Sequence, residues 1–530
     1  MQLDLVIVGY NDSDFHVHFK NVEKYQRLSG AYRRLVANTS LFYDERLPHM
    51  ELLGRMLKKA RGGDWNLNVA TLPNPAVYYL KSYVHRRGFN SEIVNFYNHE
   101  KKKLASLLEN GPLAVALTTT FYVEPDPVIE MVKFIRSVNP NVQIIVGGTF
   151  IYNLCEFVEP KARDRILDRM GADIYVFEPQ GEKTLCSLLS VLKEGEGNDL
   201  SQIPNLVYPS TNGIYRVTER QTENNSLVEN GVNWSLFDPK HFTPSIQTRT
   251  AINCAFKCSF CSYHVFAGKS SLAPVEVLEK EFRQLKSAGV RRVSIIDDTF
   301  NVPLPRFKEI CRMMIRNQFD FEWFSYFRCA NADEEAFDLL AESGCKAVHI
   351  GLESGDQGIL RNMNKRVKVE AYSTGIREIN KRGIKTLASI IVGFPGETKL
   401  SIQNTIDLLK DSPPTFWHPE LFFYDVCAPI KDSAAEHGLT GLRYSWTHNT
   451  MKWQEACDHL DEMVGSITDS VLVPDHGFGI WAIPYLLDQG LSMDQIVGFA
   501  REAGELIVKG VGKNYLDAQR QEERLLRLLG

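Results

Sequence analysis

The stretch RTAINCAFKCSFCSYHVF, residues 249–266, places three cysteines within eight positions. Cys254, Cys258 and Cys261 are spaced C-x3-C-x2-C and come directly after a predicted strand. Three thiolates in one tight loop can hold three irons of a four-iron cluster, which leaves the fourth iron open to a substrate or cofactor. The spacing therefore predicts a metal centre with one vacant position.

A zinc site is the alternative interpretation of the same loop. His264 follows Cys261 with two residues between them, so three thiolates and one imidazole are available. Structural zinc normally stabilises small modules, whereas this loop is predicted to lie at the mouth of a large barrel, where a fully closed site would serve no purpose. The pattern therefore favours the iron cluster.

Length and charge bound the classes of protein to consider. The chain has 530 residues, more than one hydrophobic core usually serves, so two or three domains are expected. A net charge of −5, from 60 basic and 65 acidic residues, provides no large cationic field, and nucleic acid is not an expected partner. The other seven cysteines lack metal-type spacing, which indicates a reducing compartment: Cys155, Cys186, Cys311, Cys329, Cys345, Cys427 and Cys457.

The sequence shows no targeting signal. Asp4 interrupts the first apolar run, and neither a basic region nor a small-residue cleavage site flanks it. No apolar stretch reaches the length of a membrane span, and the mean hydropathy is −0.21. We therefore predict a cytoplasmic protein that does not contact a membrane.

The first half of the chain alternates short β-branched runs with amphipathic stretches. This alternation predicts parallel strands with right-handed crossovers, hence a Rossmann-like doubly wound domain over 1–205, with an insertion at about 11–70. The predicted strands are LDLVIV (3–8), EIVNF (92–96), AVALTTT (114–120), VQIIVGGTF (142–150) and ADIYVF (172–177).

A polar, turn-rich linker is predicted over 206–242, and a second alternating region follows it. Six βα units over 243–430 predict a partial (β/α)6 barrel with its chemistry at the carboxyl ends of the strands. A helical region is predicted over 431–530, where Ser492 and Gln495 form a capping box. The barrel strands are predicted as RTAIN (249–253), RVSIID (292–297), FEWFSYF (321–327), AVHIGLE (347–353), TLASIIVGF (386–394) and ELFFYDV (420–426).

The cysteine loop, with Phe260 just before the third cysteine, resembles the radical S-adenosylmethionine (SAM) superfamily. The resemblance implies that Cys254, Cys258 and Cys261 hold a [4Fe-4S] cluster whose open iron chelates SAM, and that Phe260 packs near the adenine. It also implies reductive cleavage of SAM to a 5′-deoxyadenosyl radical. An electron donor such as flavodoxin or ferredoxin is then an expected partner.

The resemblance also implies a SAM site at the carboxyl ends of the barrel strands. Asp297 and Asp298 stand where the family has a glycine-glycine-glutamate-like stretch for the SAM amine. Arg328 is expected to meet the SAM carboxylate. The remaining candidates are expected to bond the ribose or amine, or to lie near adenine: Glu353 and Ser354, and Gly393 and Pro395 of the turn GFPGET.

The order of domains is similar to that of cobalamin-dependent radical SAM enzymes (class B), most of which are methyltransferases. In that class the cobalamin lies between the two domains, with its tail in the first. Residues at the carboxyl ends of two strands are the candidates for the tail site: Thr118, Thr119, Thr120, Gly147 and Gly148.

The cobalamin-ligating pattern D-x-H-x-x-G of such domains is only partly present. Asp14 and His16 follow the first strand, but Phe19 stands where the glycine belongs. We therefore do not expect His16 to be a cobalt ligand.

Two short stretches, SGAYR (29–33) and YSWTHNTM (444–451), look similar to the P-methyltransferase branch of phosphinothricin-type antibiotic biosynthesis. This resemblance implies methylation of the phosphorus of a phosphinate. Because the substrate would be anionic, Arg249, Arg328 and His448, with Trp446, are candidates to meet it. The alternatives are C-methylation or rearrangement of another metabolite or peptide, and a cobalamin-binding sensor with a structural metal.

Overall fold

The computed structural model describes residues 3–195, 199–210, 214–474, 477–512 and 518–530. Part of the predicted linker, residues 211–213, lies outside these ranges. Among the described residues, no helix is both long and apolar enough to cross a bilayer.

A seven-stranded sheet and its helices form the first domain. The strands in this part of the chain are β1 (Leu5–Tyr10), β2 (Ser40–Phe42), β3 (Glu45–Leu47), β4 (Ser91–Phe96), β5 (Ala114–Thr118), β6 (Gln143–Gly147), β7 (Ile174–Val176), β8 (Leu206–Pro209) and β9 (Tyr215–Val217). The helices are α1 (Phe15–Gln26), α2 (Gly30–Ala37), α3 (His49–Arg61), α4 (Pro75–His85), α5 (Tyr97–Glu109), α6 (Asp126–Val138), α7 (Thr149–Phe157), α8 (Pro160–Met170), α9 (Glu182–Glu194) and α10 (Leu227–Asn230).

The sheet has the order β4-β1-β5-β6-β7-β8-β9. Its first five strands are parallel, which confirms the doubly wound prediction, and β8 and β9 extend it in antiparallel pairing. The segment that the turn signals predict as a linker therefore begins inside this sheet. The strand order reverses between β1 and β5, and ligands bind beyond the carboxyl ends of strands at such a point.

The second domain is a partial barrel followed by a mainly helical region. Its strands are β10 (Ser245–Thr248), β11 (Ala251–Ile252), β12 (Ser271–Leu272), β13 (Arg292–Ile295), β14 (Glu322–Tyr326), β15 (Cys345–Glu353), β16 (Lys385–Val392), β17 (Phe416–Leu421), β18 (Thr440–Leu442), β19 (Ser445–His448), β20 (Met451–Lys452) and β21 (Val471–Leu472). Its helices are α11 (Tyr263–Phe266), α12 (Val275–Ser287), α13 (Leu304–Arg316), α14 (Glu334–Glu342), α15 (Gln357–Asn362), α16 (Val369–Lys381), α17 (Lys399–Asp411), α18 (Trp453–Ser466), α19 (Ala482–Asp488), α20 (Met493–Gly512) and α21 (Ala518–Leu529).

Seven parallel strands, in the order β10-β13-β14-β15-β16-β17-β21, form the barrel wall. This confirms the partial barrel, with a short seventh strand contributed by the C-terminal region. The first wall strand is 245–248 rather than the predicted 249–253, and the sixth is 416–421 rather than 420–426. The C-terminal region also contains the three-stranded sheet β18-β19-β20, so it is not helical throughout. Its predicted capping box is confirmed, because Ser492 and Gln495 exchange reciprocal hydrogen bonds of 3.1 Å.

The predicted insertion lies against the C-terminal helices. Elements α3 and β2 share an apolar core with α19, α20 and α21, and this core reaches side chains inside the barrel near the amino ends of its strands. Four such side chains form an apolar layer there: Phe324, Ala347, Leu387 and Phe416. The insertion and the C-terminal helices together therefore close the lower end of the barrel.

His49, at the start of α3, lies fully buried in this core. Within the described part of the chain, neither of its ring nitrogens has a hydrogen-bond partner, and its ring contacts Phe478 and Phe499. Burial lowers the pKa of the imidazole from 6.5 to about 3. The folded state therefore holds this histidine neutral, while the unfolded chain protonates it below about pH 6.5.

Replacement of His49 should change how stability depends on pH. A group whose folded pKa is depressed stabilises the fold above its unfolded pKa, and that stability is lost as the pH falls. Between pH 7 and pH 5, we expect the unfolding free energy of the wild type to fall by about 2 kcal/mol more than that of His49→Leu. Urea unfolding at both pH values measures this. His18→Leu, at an exposed position of α1, is the control, and an unchanged pH dependence in His49→Leu would contradict the assignment.

Candidate active site

Backbone contacts fix the cysteine loop above the barrel. The amide of Cys261 donates to the carbonyl of Cys258 at 3.2 Å. The amide of Ser259 donates to Met363 at 2.9 Å, and its hydroxyl donates to the carbonyl of Asn362 at 2.9 Å. The loop is thereby attached to the turn that follows α15, so its position depends on the barrel rather than on a separate module.

The spacing of the three sulfurs differs from that of a zinc site. Thiolates that share one tetrahedral zinc, at Zn–S distances of about 2.3 Å, lie about 3.8 Å apart. Within the described part of the chain, the sulfurs of Cys254, Cys258 and Cys261 do not all lie within 4.8 Å of one another. Adding His264 gives no such set either. Each thiolate of a cluster binds a different iron, so wider separations are required. As three thiolates, the donor set suits a four-iron cluster with one iron left open.

Asp297 binds the chain just before the cysteines. Its carboxylate accepts hydrogen bonds from the amides of Thr250, at 2.6 Å, and Ala251, at 3.0 Å, as well as from the Thr250 hydroxyl. Arg306 donates to the Thr250 carbonyl at 2.9 Å and to its hydroxyl at 3.1 Å. Sequence reasoning assigned Asp297 to the SAM amine, but its side chain is already engaged in positioning the loop.

Asp298 differs from its neighbour because its side chain reaches solvent at the mouth. The Tyr263 hydroxyl donates a hydrogen bond to its carboxylate, and Arg249 lies close enough to interact electrostatically. Surrounding protein, together with Asp297, raises the pKa of the Asp298 carboxyl to about 6. Of the two predicted aspartates, Asp298 is the one whose side chain is exposed.

Arg328 supports the loop from the end of β14. Its guanidinium lies 3.6 Å from the centre of the Phe256 ring, and one terminal nitrogen donates to the carbonyls of Lys365 and Arg366. Its Nε is buried and has no partner in the described protein. The predicted contact of Arg328 with the SAM carboxylate stays a prediction.

Glu353 forms a buried ion pair that sequence reasoning missed. Its carboxylate lies 2.8 Å from the ammonium of Lys365, and each side chain is only 10% exposed. Lys365 also lies 5.5 Å from the Phe260 ring. Burial raises the pKa of the Cys258 thiol, whereas Lys365 and then Arg328 lower it. No spacing in the sequence marks Lys365, because it lies in the turn after α15, far from the cysteines.

The other three barrel candidates lie within the protein. Ser354 is buried, and its hydroxyl accepts from the amide of Asp356 at 3.1 Å. Gly393 has a φ of +90°, and a Cβ there would lie 2.5 Å from the indole of Trp446. The carbonyl of Pro395 accepts from Asn362, the residue that also receives the Ser259 hydroxyl. The GFPGET turn therefore contacts the cysteine loop through one asparagine.

Trp446 and His448, candidates for the substrate mouth, pack on this turn instead. Their rings stack with centres 5.1 Å apart, and both side chains are buried. The ring nitrogen Nε2 of His448 lies 3.1 Å from the carbonyl of Gly393. Their role is therefore to hold the turn.

A cavity of about 290 Å³ lies between the two domains. The carboxyl ends of β5 and β6 form one wall, and the start of the cysteine loop forms another. Its lining includes Thr118, Thr120, Gly147 and Gly148 from the sheet, and Gln247, Arg249, Tyr263 and Ile296 from the barrel. Thr119 does not line the cavity, because it is buried and its hydroxyl donates to the carbonyl of Gly147 at 2.9 Å.

Gly148 has no side chain to project into the cavity from the sheet. Its φ is +114°, a conformation that favours glycine, and a Cβ there would lie 3.0 Å from the Thr119 hydroxyl. His16 is not part of the cavity lining. Its Nε2 lies 2.8 Å from a carboxylate oxygen of Glu51.

Three carboxyls border the cavity and are shielded from solvent. Burial, with Glu223 as a second cause, raises the pKa of Glu182 to about 7. Burial also raises the pKa values of Glu178 and Glu281. A carboxyl that is protonated near neutral pH can donate as well as accept hydrogen bonds. Glu182 can therefore act as donor or acceptor toward a ligand in this cavity.

Comparison with known proteins agrees with this geometry. Residues 249–409 match the Radical SAM superfamily. This matched segment, the radical SAM domain, spans the cysteine loop and the barrel as far as α17. Such a domain implies a [4Fe-4S] cluster and SAM as cofactors.

Curated relatives match parts of the chain at low identity. An uncharacterized methyltransferase of Pyrococcus horikoshii is 25% identical over 284 residues, which cover 52% of this chain and 60% of the relative. An anaerobic magnesium-protoporphyrin IX monomethyl ester cyclase of Rubrivivax gelatinosus is 22% identical over 383 residues, which cover 67% and 64%. The chain thus spans less than two thirds of the length of these relatives.

Two solved structures share the fold. The radical SAM methyltransferase TsrM of Kitasatospora setae superposes with a TM-score of 0.57 at 17% identity, over 82% of this chain and 76% of TsrM. The cobalamin-dependent SAM radical enzyme OxsB superposes with a TM-score of 0.61 at 12% identity, over 100% and 83%. The two-domain architecture is therefore a known one.

Loss of one loop cysteine should remove the cluster. We expect Cys258→Ala, reconstituted without oxygen, to lose its iron content and broad iron–sulfur absorption, since a thiolate ligand is missing. Cys155→Ala, in α7 and outside the site, should keep both. Iron bound by Cys258→Ala at the wild-type level would contradict the assignment, as would tight uptake of a single zinc ion by the wild type.

Proposed function

We propose that this protein is a cobalamin-dependent radical SAM methyltransferase that methylates a centre without a nucleophilic lone pair. The best candidate is the phosphorus of a phosphinate in antibiotic biosynthesis, methylated by way of a 5′-deoxyadenosyl radical and methylcobalamin. A reducing cytoplasm, with flavodoxin or ferredoxin as electron donor, remains part of the proposal.

The interdomain cavity is the observation that carries the proposal. It joins the carboxyl edge of a doubly wound sheet to the start of the cysteine loop, and Arg249 and Tyr263 belong to both the loop and the cavity wall. When bound, cobalamin would supply a transferable methyl group and the cluster with SAM would supply the radical. Thr118, Thr120, Gly147 and Gly148 would hold the cobalamin tail, and Cys254, Cys258 and Cys261 the cluster.

Support for a phosphinate comes from the contact between the two stretches with P-methyltransferase resemblance. A Cβ at Gly30 of SGAYR would collide with the carbonyl of Tyr444, the first residue of YSWTHNTM. From the same helix, Arg34 donates to both carboxylate oxygens of Glu420 in β17, at 2.7 and 3.1 Å. The two stretches thus lie together at the carboxyl end of β17. Catalytic residues of such barrels lie at the carboxyl ends of the strands.

A bulky side chain in the cavity should block cobalamin without affecting the cluster. We expect Thr120→Trp to weaken cobalamin binding at least about tenfold, equivalent to about 1.4 kcal/mol. Ser137→Trp, at an exposed position near the end of α6, should bind like the wild type. Equilibrium titration followed by the absorption of cobalamin measures both. Equal affinities in the two variants would place the cobalamin elsewhere.

The reaction itself is tested by product mass. Anaerobic incubation of the reconstituted protein with SAM, cobalamin, a reductant and a hydrogen-bearing phosphinate should add one CH₂ unit, with direct phosphorus–carbon coupling in the product. Cys258→Ala should yield none. Methylation at carbon, or a rearranged product of unchanged carbon count, would support the alternative enzyme class. Cobalamin binding without release of 5′-deoxyadenosine would support a sensor.

A further inference from the structure

A layer of polar side chains lies inside the barrel, directly above the apolar layer formed by Phe324, Ala347, Leu387 and Phe416. Side-chain alternation along the strands places Tyr326, His349, Ser389 and His418 on the inward face, each two residues after a member of the apolar layer. Tyr326 pairs with His349, and Ser389 pairs with His418. Barrel interiors are ordinarily filled by branched apolar side chains. Polar side chains at this depth therefore require another explanation.

The rings of the two histidines, His349 and His418, face each other. Their ring centres lie 5.9 Å apart at an interplanar angle of 81°, and Tyr326 lies 4.9 Å from His349 on the other side. His418 is only 5% exposed, yet its Nδ1 is buried and makes no hydrogen bond with the described protein. Buried polar groups normally have a partner, so this unpaired ring nitrogen is available to a ligand inside the barrel.

The charges around this layer favour an anion. The carboxylates next along the same strands are already paired, Glu353 with Lys365 and Glu420 with Arg34. The two imidazoles and the Ser389 hydroxyl supply hydrogen-bond donors, and the carboxylates that would attract a cation are neutralised. Burial, with His418 and Lys365 as smaller causes, lowers the pKa of His349 to about 3.

We propose that His349, Ser389 and His418 bind the oxyanion of the substrate. This inference rests on the proposed function, which it deepens by assigning residues that select a phosphinate or a carboxylate. A bound anion favours the protonated imidazole, so ligand binding takes up a proton. Tyr326, the Glu353–Lys365 pair and the Glu420–Arg34 pair are the other ionisable groups that face the histidines.

Calorimetry on the full chain, with its cluster reconstituted and without SAM, tests the proposal. Phenylphosphinate and benzoate serve as phosphinate and carboxylate probes, each titrated in two buffers of different ionisation enthalpy to count protons. We expect one probe or both to bind with proton uptake and with affinity that falls as pH rises. His418→Phe should weaken binding at least tenfold, and His85→Phe, at an exposed position of α4, should leave it unchanged.

A second variant separates anion binding from folding. His418→Asn retains an amide donor but cannot titrate, so we expect partial affinity and reduced proton uptake. The proposal is overturned if neither probe binds the wild type, if His418→Phe binds as tightly as the wild type while folded, or if the layer binds zinc in preference to either anion. Because no turnover is measured, a failure here leaves methyl transfer and its product-mass test unaffected.

Discussion

The carboxylate of Asp297 determines where the barrel wall ends and the cysteine loop begins. The carboxylate accepts the two consecutive amides of Thr250 and Ala251, only one of which could face β13 if β10 continued. The chain then leaves the sheet, and β11 pairs with β12 instead. Arg306 fixes the same turn from the opposite side. The three cysteines can converge only because this departure point is fixed.

The loop is held at its far end by a different kind of contact. Met363 and Asn362 accept hydrogen bonds from Ser259, and Lys365, two residues further on, pairs with Glu353 inside the site. A buried ion pair is costly to form, and it becomes more costly if one partner is lost. Its position beside the loop indicates that charge near the cysteines is controlled, since Lys365 and Arg328 favour the thiolate form that binds metal.

The order of strands and helices was predictable from the sequence, because periods of 2 and 3.6 reveal which residues are buried. Strand ends were less predictable. SIQT (245–248) has one strongly apolar residue. The strand ends where the carboxylate of Asp297, 49 residues beyond Thr248, accepts the backbone amides that follow it. Asp297 and Asp298 are indistinguishable in the sequence, yet one supports the loop and the other faces the mouth. Lys365 and the packing of the insertion against the C-terminal helices depend on long-range contacts that no local pattern encodes.

The barrel must remain partial for the proposed chemistry. Gln247 lies on the inward face of β10 and Ile296 directly follows β13, and both also line the interdomain cavity. The cavity and the barrel interior therefore meet at the β10 edge. A closed ring of eight strands would place hydrogen-bonded backbone across that edge and separate them. With six long strands and the short β21, the fold instead lets a ligand held by the first domain face a ligand inside the barrel, with the cysteine loop above both.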